Sequence, residues 1–161
     1  AFVKTCDAFN IPVLTLTNVE GYATSVEEEK TIAAAAAKLT AAFAESDVPK
    51  VNMITGNAYG SAYITMNSKH IGADMVFALN GAKVGMMDAN VAAKIMYADD
   101  KDADLAEKAA QFAAQSGTEA AAARGVDSVI EPASARKQLL YAFEMLYNKC
   151  EYPIGKKHGT I

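Results

Sequence analysis

Much of what side-chain chemistry needs is scarce in this chain. Its 161 residues include only 2 histidines and 2 cysteines. Cys6 and Cys150 lie far apart, which argues against a disulfide framework and for a reducing, cytoplasmic setting. So few histidines and cysteines predict no metal site. His70, in "SKHIG", reads as a surface or structural residue near a helix end. His158, beside Lys156 and Lys157, reads as solvated. Nothing in the spacing supports a Ser–His–Asp arrangement. Positive charge is also lacking: the formal net charge is -4, so no nucleic-acid partner is expected. No apolar run approaches the roughly 20 residues of a membrane span, so no membrane insertion is expected. "AFVKTCDAF" has neither the basic start and apolar block nor the cleavage site of a signal peptide. The chain lacks G-x-G-x-x-G, and Gly60 is followed by Ser61 and Ala62 rather than the Lys-Ser/Thr of a phosphate loop. Asp99, Asp100, Asp102 and Asp104 form an acidic run without the glycine and glutamate of a calcium loop, and read as a solvated helix start.

What remains is an apolar chain, 52% hydrophobic, with strands and helices in alternation. Phe2, Val3, Cys6 and Phe9 share one face of a helix that Asn10 and Pro12 end. "PVLTLTNV" predicts a buried strand. Ser25 and Glu28 form a capping box for an alanine-rich helix running to about Ser46. "KVNMIT" is the next strand, and "SAYITMNSKHIG" after Gly60 the next helix. "DMVFAL" and "VGMM" read as strands around the turn "NGAK", and Asp88 caps "ANVAAKIMY". A polar helix follows over 99–117, then a short one closed by Gly125, the strand "VDSVIEP" and a long helix over 133–150. That helix sets Leu139, Leu140, Phe143 and Leu146 on one side; residues 151–161 form a polar tail. The alternation predicts one α/β domain with a mostly parallel sheet. Lacking an initiator methionine and opening inside a helix, the chain reads as a fragment of a longer polypeptide.

In such sheets ligands bind beyond the carboxyl ends of strands. "GNAYGSAY", from Gly56 to Tyr63, occupies such a place. N–H groups opening a helix have no intrahelical partner and carry partial positive charge. Gly60 gives a ligand room to approach Ser61 and Ala62. Two readings stay open here: an oxyanion-binding turn, or an ordinary strand-to-helix turn capped by Ser61.

"CDAFNIPVLTL", "VPKVNMITGNAYGSAYITMNSKHIGAD", "ARGVDSVIEPASARKQLLYAFEML" and "KKHGTI" together resemble one family over essentially the whole chain. It is the carboxyltransferase component of biotin-dependent acyl-CoA carboxylases, together with transcarboxylases and acyl-CoA decarboxylase α subunits. The resemblance implies a crotonase-like spiral of strands with packed helices, residues 1–161 being most of the C-terminal domain of a two-domain subunit. It implies carboxyl transfer between biotin and the α-carbon of an acyl-CoA. In such enzymes preorganised donors face the enolate of the thioester and the ureido oxygen of biotin. Carried over, the backbone N–H groups of Ser61 and Ala62 serve the biotin side, with Gly60 giving room. Gly21, Tyr22, Tyr59, Tyr63 and Ile64 fall in the substrate and biotin pocket, Ile64 at a position that shapes the acyl site. The implied partners are the N-terminal carboxyltransferase domain, a biotin carboxyl carrier protein and further copies of the subunit.

The chain departs from the family's usual pattern at several places. Glu20-Gly21-Tyr22 stands for Pro-Gly-Phe, Ser61 for a glycine, Ala33 to Ala37 for a stretch with arginine and histidine, and Asp88 to Val91 for a glycine-rich turn. Three readings are open: a carboxyltransferase half-domain, a decarboxylase α subunit moving the carboxyl group the other way, or a non-catalytic assembly domain.

Overall fold

A computed structural model of the chain describes residues 1–23, 25–100, 104–117 and 124–150. Helix α1 (Phe2–Ala8) leads into strand β1 (Val13–Val19), helix α2 (Val26–Glu45) and strand β2 (Lys50–Tyr59). A short helix α3 (Gly60–Thr65) and a 3-10 turn (Lys69–Ile71) precede β3 (Met75–Leu79) and β4 (Lys83–Gly85). Then come α4 (Ala89–Met96), α5 (Leu105–Ala114), β5 (Ser128–Ile130) and α6 (Ala135–Met145). The sheet order is β1-β2-β3-β5 with β4 also on β2, and every pairing is parallel.

Helix starts follow their caps. Ser25 Oγ accepts from Glu28 N at 3.3 Å and donates to Glu28 Oε2 at 2.7 Å. Asp88 accepts from Asn90 N at 2.9 Å and opens α4. Asp104, last of the acidic run, accepts from Ala106 N at 3.0 Å and Glu107 N at 3.3 Å, so α5 begins later than its composition predicts. The tail 151–161 and most of the short helix predicted at 118–125 lie outside the described residues. Gly125 has φ 81°, the left-handed backbone that a helix-closing glycine adopts.

Further elements differ from their sequence reading. β1 is an edge strand rather than one buried on both faces. Val13, Thr15 and Thr17 point inward, while Leu14 and Leu16 remain 41% and 58% exposed. The inward threonines are satisfied by asparagines: Thr17 Oγ1 donates to Asn52 Oδ1 at 2.8 Å, and Asn67 Nδ2 to Thr15 Oγ1 at 3.3 Å. On α6, Leu139, Phe143 and Leu146 pack on Val51, Met53, Phe77 and Ile130, but Leu140 turns outward. α3 ends at Thr65, because Asn67 takes a left-handed φ of 57°.

The amino ends of the strands are closed by polar groups. Lys50, buried, donates from Nζ to the carbonyls of Phe43 and Ser46 at 2.7 and 2.6 Å, terminating α2. Asp74 accepts from Lys50 N at 2.8 Å and pairs with Lys149 at 2.9 Å, tying the end of the last helix to β2 and β3. Breaking one member of a buried charged pair is strongly unfavourable. Asp74→Ala is therefore expected to destabilise the protein by about 3 kcal/mol, measured by urea unfolding. A loss below about 1 kcal/mol, the level of an exposed pair, would show that this end is not held by the pair.

Candidate functional site

The site forms where β2 changes partners. β2 pairs with β3 over Val51–Ile54 and with β4 over Asn57–Tyr59. Between these stretches it bulges against β1: Thr17 faces Ile54, but Val19 faces Ala58. Side chains satisfy the displaced backbone and flank the bulge. Asn18 Oδ1 accepts from Asn57 N at 2.9 Å, Thr55 Oγ1 donates to the Thr17 carbonyl at 3.2 Å, and Asn57 Nδ2 donates to Glu20 at 3.0 Å. Gly56 makes this possible, since a Cβ there would lie 2.6 Å from Asn18 Oδ1. "GNAY" is thus strand, and the turn is confined to Gly60.

β2 and β4 end level, at Tyr59 and Gly85. Gly60 and Met86 come next, side by side. Gly60 has φ 59°, and a Cβ on it would lie 3.0 Å from the Met86 carbonyl oxygen. The N-cap position, Tyr59, gives α3 no side-chain hydrogen bond. Ser61 and Ala62, in the first turn, have no intrahelical acceptor for their N–H groups. α3 is held from its other side: Tyr22 donates from Oη to the Ser61 carbonyl at 3.2 Å and lies 2.7 Å from Thr65 Oγ1.

Beside the turn lies a cleft of about 330 Å³ lined by Gly60, Ser61, Tyr63, Ile64, His70, Val84, Gly85, Met86 and Arg124. Arg124 Nη1 donates to the Val84 carbonyl. An adjoining apolar cavity of about 210 Å³ shares Gly85, Met86 and Arg124 and adds Met87, Ile95, Met96 and Phe112. Among the described residues, no group of three or more His, Cys, Asp or Glu side chains could hold a metal ion. Nor is any helix among them long and apolar enough to cross a membrane.

Residues 1–161 match the family described as the carboxyl transferase domain. The chain belongs to the carboxyl transferase domain family. It is 44% identical to the methylmalonyl-CoA decarboxylase subunit alpha of Propionigenium modestum, over 99% of this chain and 33% of that protein. It is 39% identical to the methylmalonyl-CoA carboxyltransferase 12S subunit of Propionibacterium freudenreichii subsp. shermanii, over 99% of this chain and 32% of that one. The crystal structure of transcarboxylase 12S, a hexamer with methylmalonyl-coenzyme A and methylmalonic acid bound, superposes with a TM-score of 0.92 at 38% identity, covering 98% of this chain and 32% of its own. The beta subunit of geranyl-CoA carboxylase from P. aeruginosa, at 22% identity and a TM-score of 0.81, shares the fold. The fold is the crotonase-like α/β arrangement that the resemblance implied. The chain spans about a third of the length of the curated relatives it matches.

Within this carboxyl transferase domain the expected site residues separate into groups. Gly60, Ser61, Tyr63 and Ile64 line the cleft. Ala62 is buried behind them at 5% exposure. Tyr22 is not part of the cleft lining but bonds to α3, and Gly21 is exposed with open space around it. Tyr59 lines a different cavity, with Lys83, Asp88, Asn90 and Ser116. Its phenol is held protonated above its ordinary range, first by burial and then by the charges of Asp88 and Glu20. Asp88 is pushed below its ordinary range, chiefly by the hydrogen bond from the Asn90 backbone.

Two residues of the cleft are missed by sequence reasoning. Nothing in the local pattern marks Arg124, which arrives from the segment before β5. His70 reads as a helix-end residue, yet the 3-10 turn swings it beside Gly125, 3.6 Å from where a Cβ would stand.

Tyr63 is 4% exposed, and its hydroxyl has no hydrogen-bond partner among the described residues. Burial, aided by the charge of Asp127, pushes its pKa up to about 12. The native state therefore favours the protonated phenol. The stability this confers is complete below the ordinary tyrosine value of 10.0 and is lost as pH rises toward 12. Tyr63→Phe is expected to reduce the fall in unfolding free energy between these pH values, measured by urea titration. An identical fall in both proteins would refute the assignment. Gly60→Ala, strained at its left-handed φ, is expected to cost about 1–2 kcal/mol in the same measurement; a neutral substitution would show that the turn tolerates a side chain.

Proposed function

We propose that this domain takes part in carboxyl transfer between biotin and the α-carbon of an acyl-CoA, and that the Gly60 cleft is its share of the active site. The turn itself carries the reading. Gly60, whose left-handed turn a Cβ would crowd against the Met86 carbonyl, leads into the first N–H groups of α3, among them those of Ser61 and Ala62, where no side chain caps them. Donors fixed in advance of the reaction stabilise negative charge as it develops on a ligand oxygen. Such donors are main-chain groups, so the family's usual glycine and this chain's Ser61 supply the same N–H.

The cleft suits a biotin ring. It sets an apolar wall of Ile64, Val84 and Met86 beside the Gly60 turn. When bound, on its carrier protein, biotin supplies the carboxyl group. Gly60, Ser61 and Ala62 would then hold the ligand oxygen, and Ile64 with Met86 would exclude water. The adjoining methionine-rich cavity suits a small apolar group such as a short acyl chain. Relatives named for methylmalonyl-CoA and propionyl-CoA support an acyl-CoA of that size. Those relatives include both a carboxyltransferase and a decarboxylase subunit, so both directions of transfer fit the reading.

We assign the domain to the C-terminal part of a longer cytoplasmic subunit, with an N-terminal carboxyltransferase domain completing the site. Assembly into a homo-oligomer belongs to the same proposal. It is supported by the hexamer of the 12S relative and by an apolar groove lined by Phe2, Leu14 and Leu16 on the outer face of β1.

The test is made in the intact subunit, following carboxyl transfer from carboxybiotin to propionyl-CoA. Ala62→Pro deletes one donor, and proline is tolerated in a first helical turn. Its rate is expected to fall on the order of a hundred-fold, while Ser61→Gly stays near the wild-type rate. An Ala62→Pro enzyme of near-normal rate and intact fold would overturn the oxyanion role.

A further inference from the structure

We infer that the apolar cavity beside the Gly60 cleft takes the alkyl chain of a medium-length acyl-CoA, about six to eight carbons in all, and that Phe112 sets the limit. This rests on the proposed carboxyl-transfer function and extends it from short acyl chains to longer ones.

The cavity is a space between two helix faces. Ala92, Ile95 and Met96 line it from α4, and Phe112, Gln115 and Ser116 line it with the same spacing from the end of α5. Residues three and four apart share one side of a helix. The boundary with the cleft is made by Gly85, Met86 and Arg124, which line both spaces. Gly85 has no side chain to close it, and Met86 is exposed on a flexible stem. Polar groups at the edge bond to the chain itself. Ser116 Oγ donates to the Ala113 carbonyl at 3.0 Å, and the Ser116 carbonyl accepts from Val84 N at 2.9 Å. Arg124 donates to the Val84 carbonyl. Among the described residues, no Asp or Glu lines the cavity.

Size selects the occupant. An apolar cavity of about 150 Å³ takes up benzene, and this one measures about 210 Å³. A propionyl group with its α-carbon in the cleft would extend only a methyl group into that space. A longer chain would also cover what is now left open: Met86, Ile95 and Met96 are all exposed. Apolar side chains exposed together around a cavity mark a place where apolar surface is bound. Methionines adapt to chains of different shape. Phe112 is the largest apolar side chain of the lining and stands on the wall opposite α4. Shortening it enlarges the cavity.

The intact subunit is assayed with carboxybiotin and a series of acceptors: propionyl-, hexanoyl-, octanoyl- and dodecanoyl-CoA. From propionyl- to hexanoyl-CoA, kcat/KM is expected to rise about four-fold per added methylene. It should fall again at dodecanoyl-CoA, which overruns the cavity. Phe112→Ala is expected to raise the ratio of kcat/KM for dodecanoyl- over hexanoyl-CoA about ten-fold. Ala92→Phe fills the cavity and should lower the ratio for hexanoyl- over propionyl-CoA by about the same factor. Each ratio is taken within one variant, so a smaller folded fraction does not move it. If a substitution prevents folding, the chain-length order of the wild type decides. The inference is overturned if hexanoyl-CoA is a poorer acceptor than propionyl-CoA, or if the folded variants leave both ratios unchanged. Transfer to propionyl-CoA alone removes the inference and keeps the proposed function. A wild-type subunit that transfers to none of the four acceptors removes both.

Discussion

The molecule depends on β2 being hydrogen-bonded to three strands at once. A strand has only two edges, so β2 must exchange one neighbour for another along its length. It gives one edge to β1 throughout and shares the other between β3 and β4. The change of partner coincides with the bulge at Gly56, which increases twist and re-aims the last residues of the strand. Without that bulge the end of β2 would not lie level with the end of β4, and Gly60 would not meet Met86. The cleft is a consequence of strand pairing before it is a matter of any particular side chain.

The second constraint is polar. Thr17 and Asn52 are fully buried, as is Asn67. Asn52 Nδ2 donates to the Met66 carbonyl at 3.1 Å, and Asn67 Nδ2 reaches Thr15. These bonds fasten the segment after α3 to β1 and β2. Tyr22 fastens the start of α3 from the preceding loop. A six-residue helix has little stability of its own. Its position is set by these bonds to the groups around it.

In the proposed function so few histidines and cysteines suffice. Main-chain donors need no titratable residue, and they keep their geometry when a nearby side chain changes. On that reading Ser61, standing for the family's usual glycine, leaves the number of main-chain donors unchanged. On the same reading the apolar walls of the cleft, Ile64, Val84 and Met86, shape what binds.

The order of strands and helices was legible in the sequence because each carries its own local signal. Ser25, Asp88 and Asp104 act as caps through bonds within three residues. Pro12 acts on its own backbone. The candidate turn was legible too, since glycine between a strand and a helix is a local event. Three features were not. The extension of β2 to Tyr59 needs Asn18, far away in the chain, to satisfy Asn57. The edge position of β1 depends on which strands pair, and its alternation of threonine and leucine reads equally well from either face. The presence of His70 and Arg124 in one cleft depends on where β5 and the 3-10 turn lie against β3 and α3. Sequence by itself determined the elements, their caps and the glycine at the turn, because these are fixed by bonds to near neighbours. Only the tertiary structure decided which groups share the cleft, because that depends on pairings between segments whose distance in sequence carries no local signal.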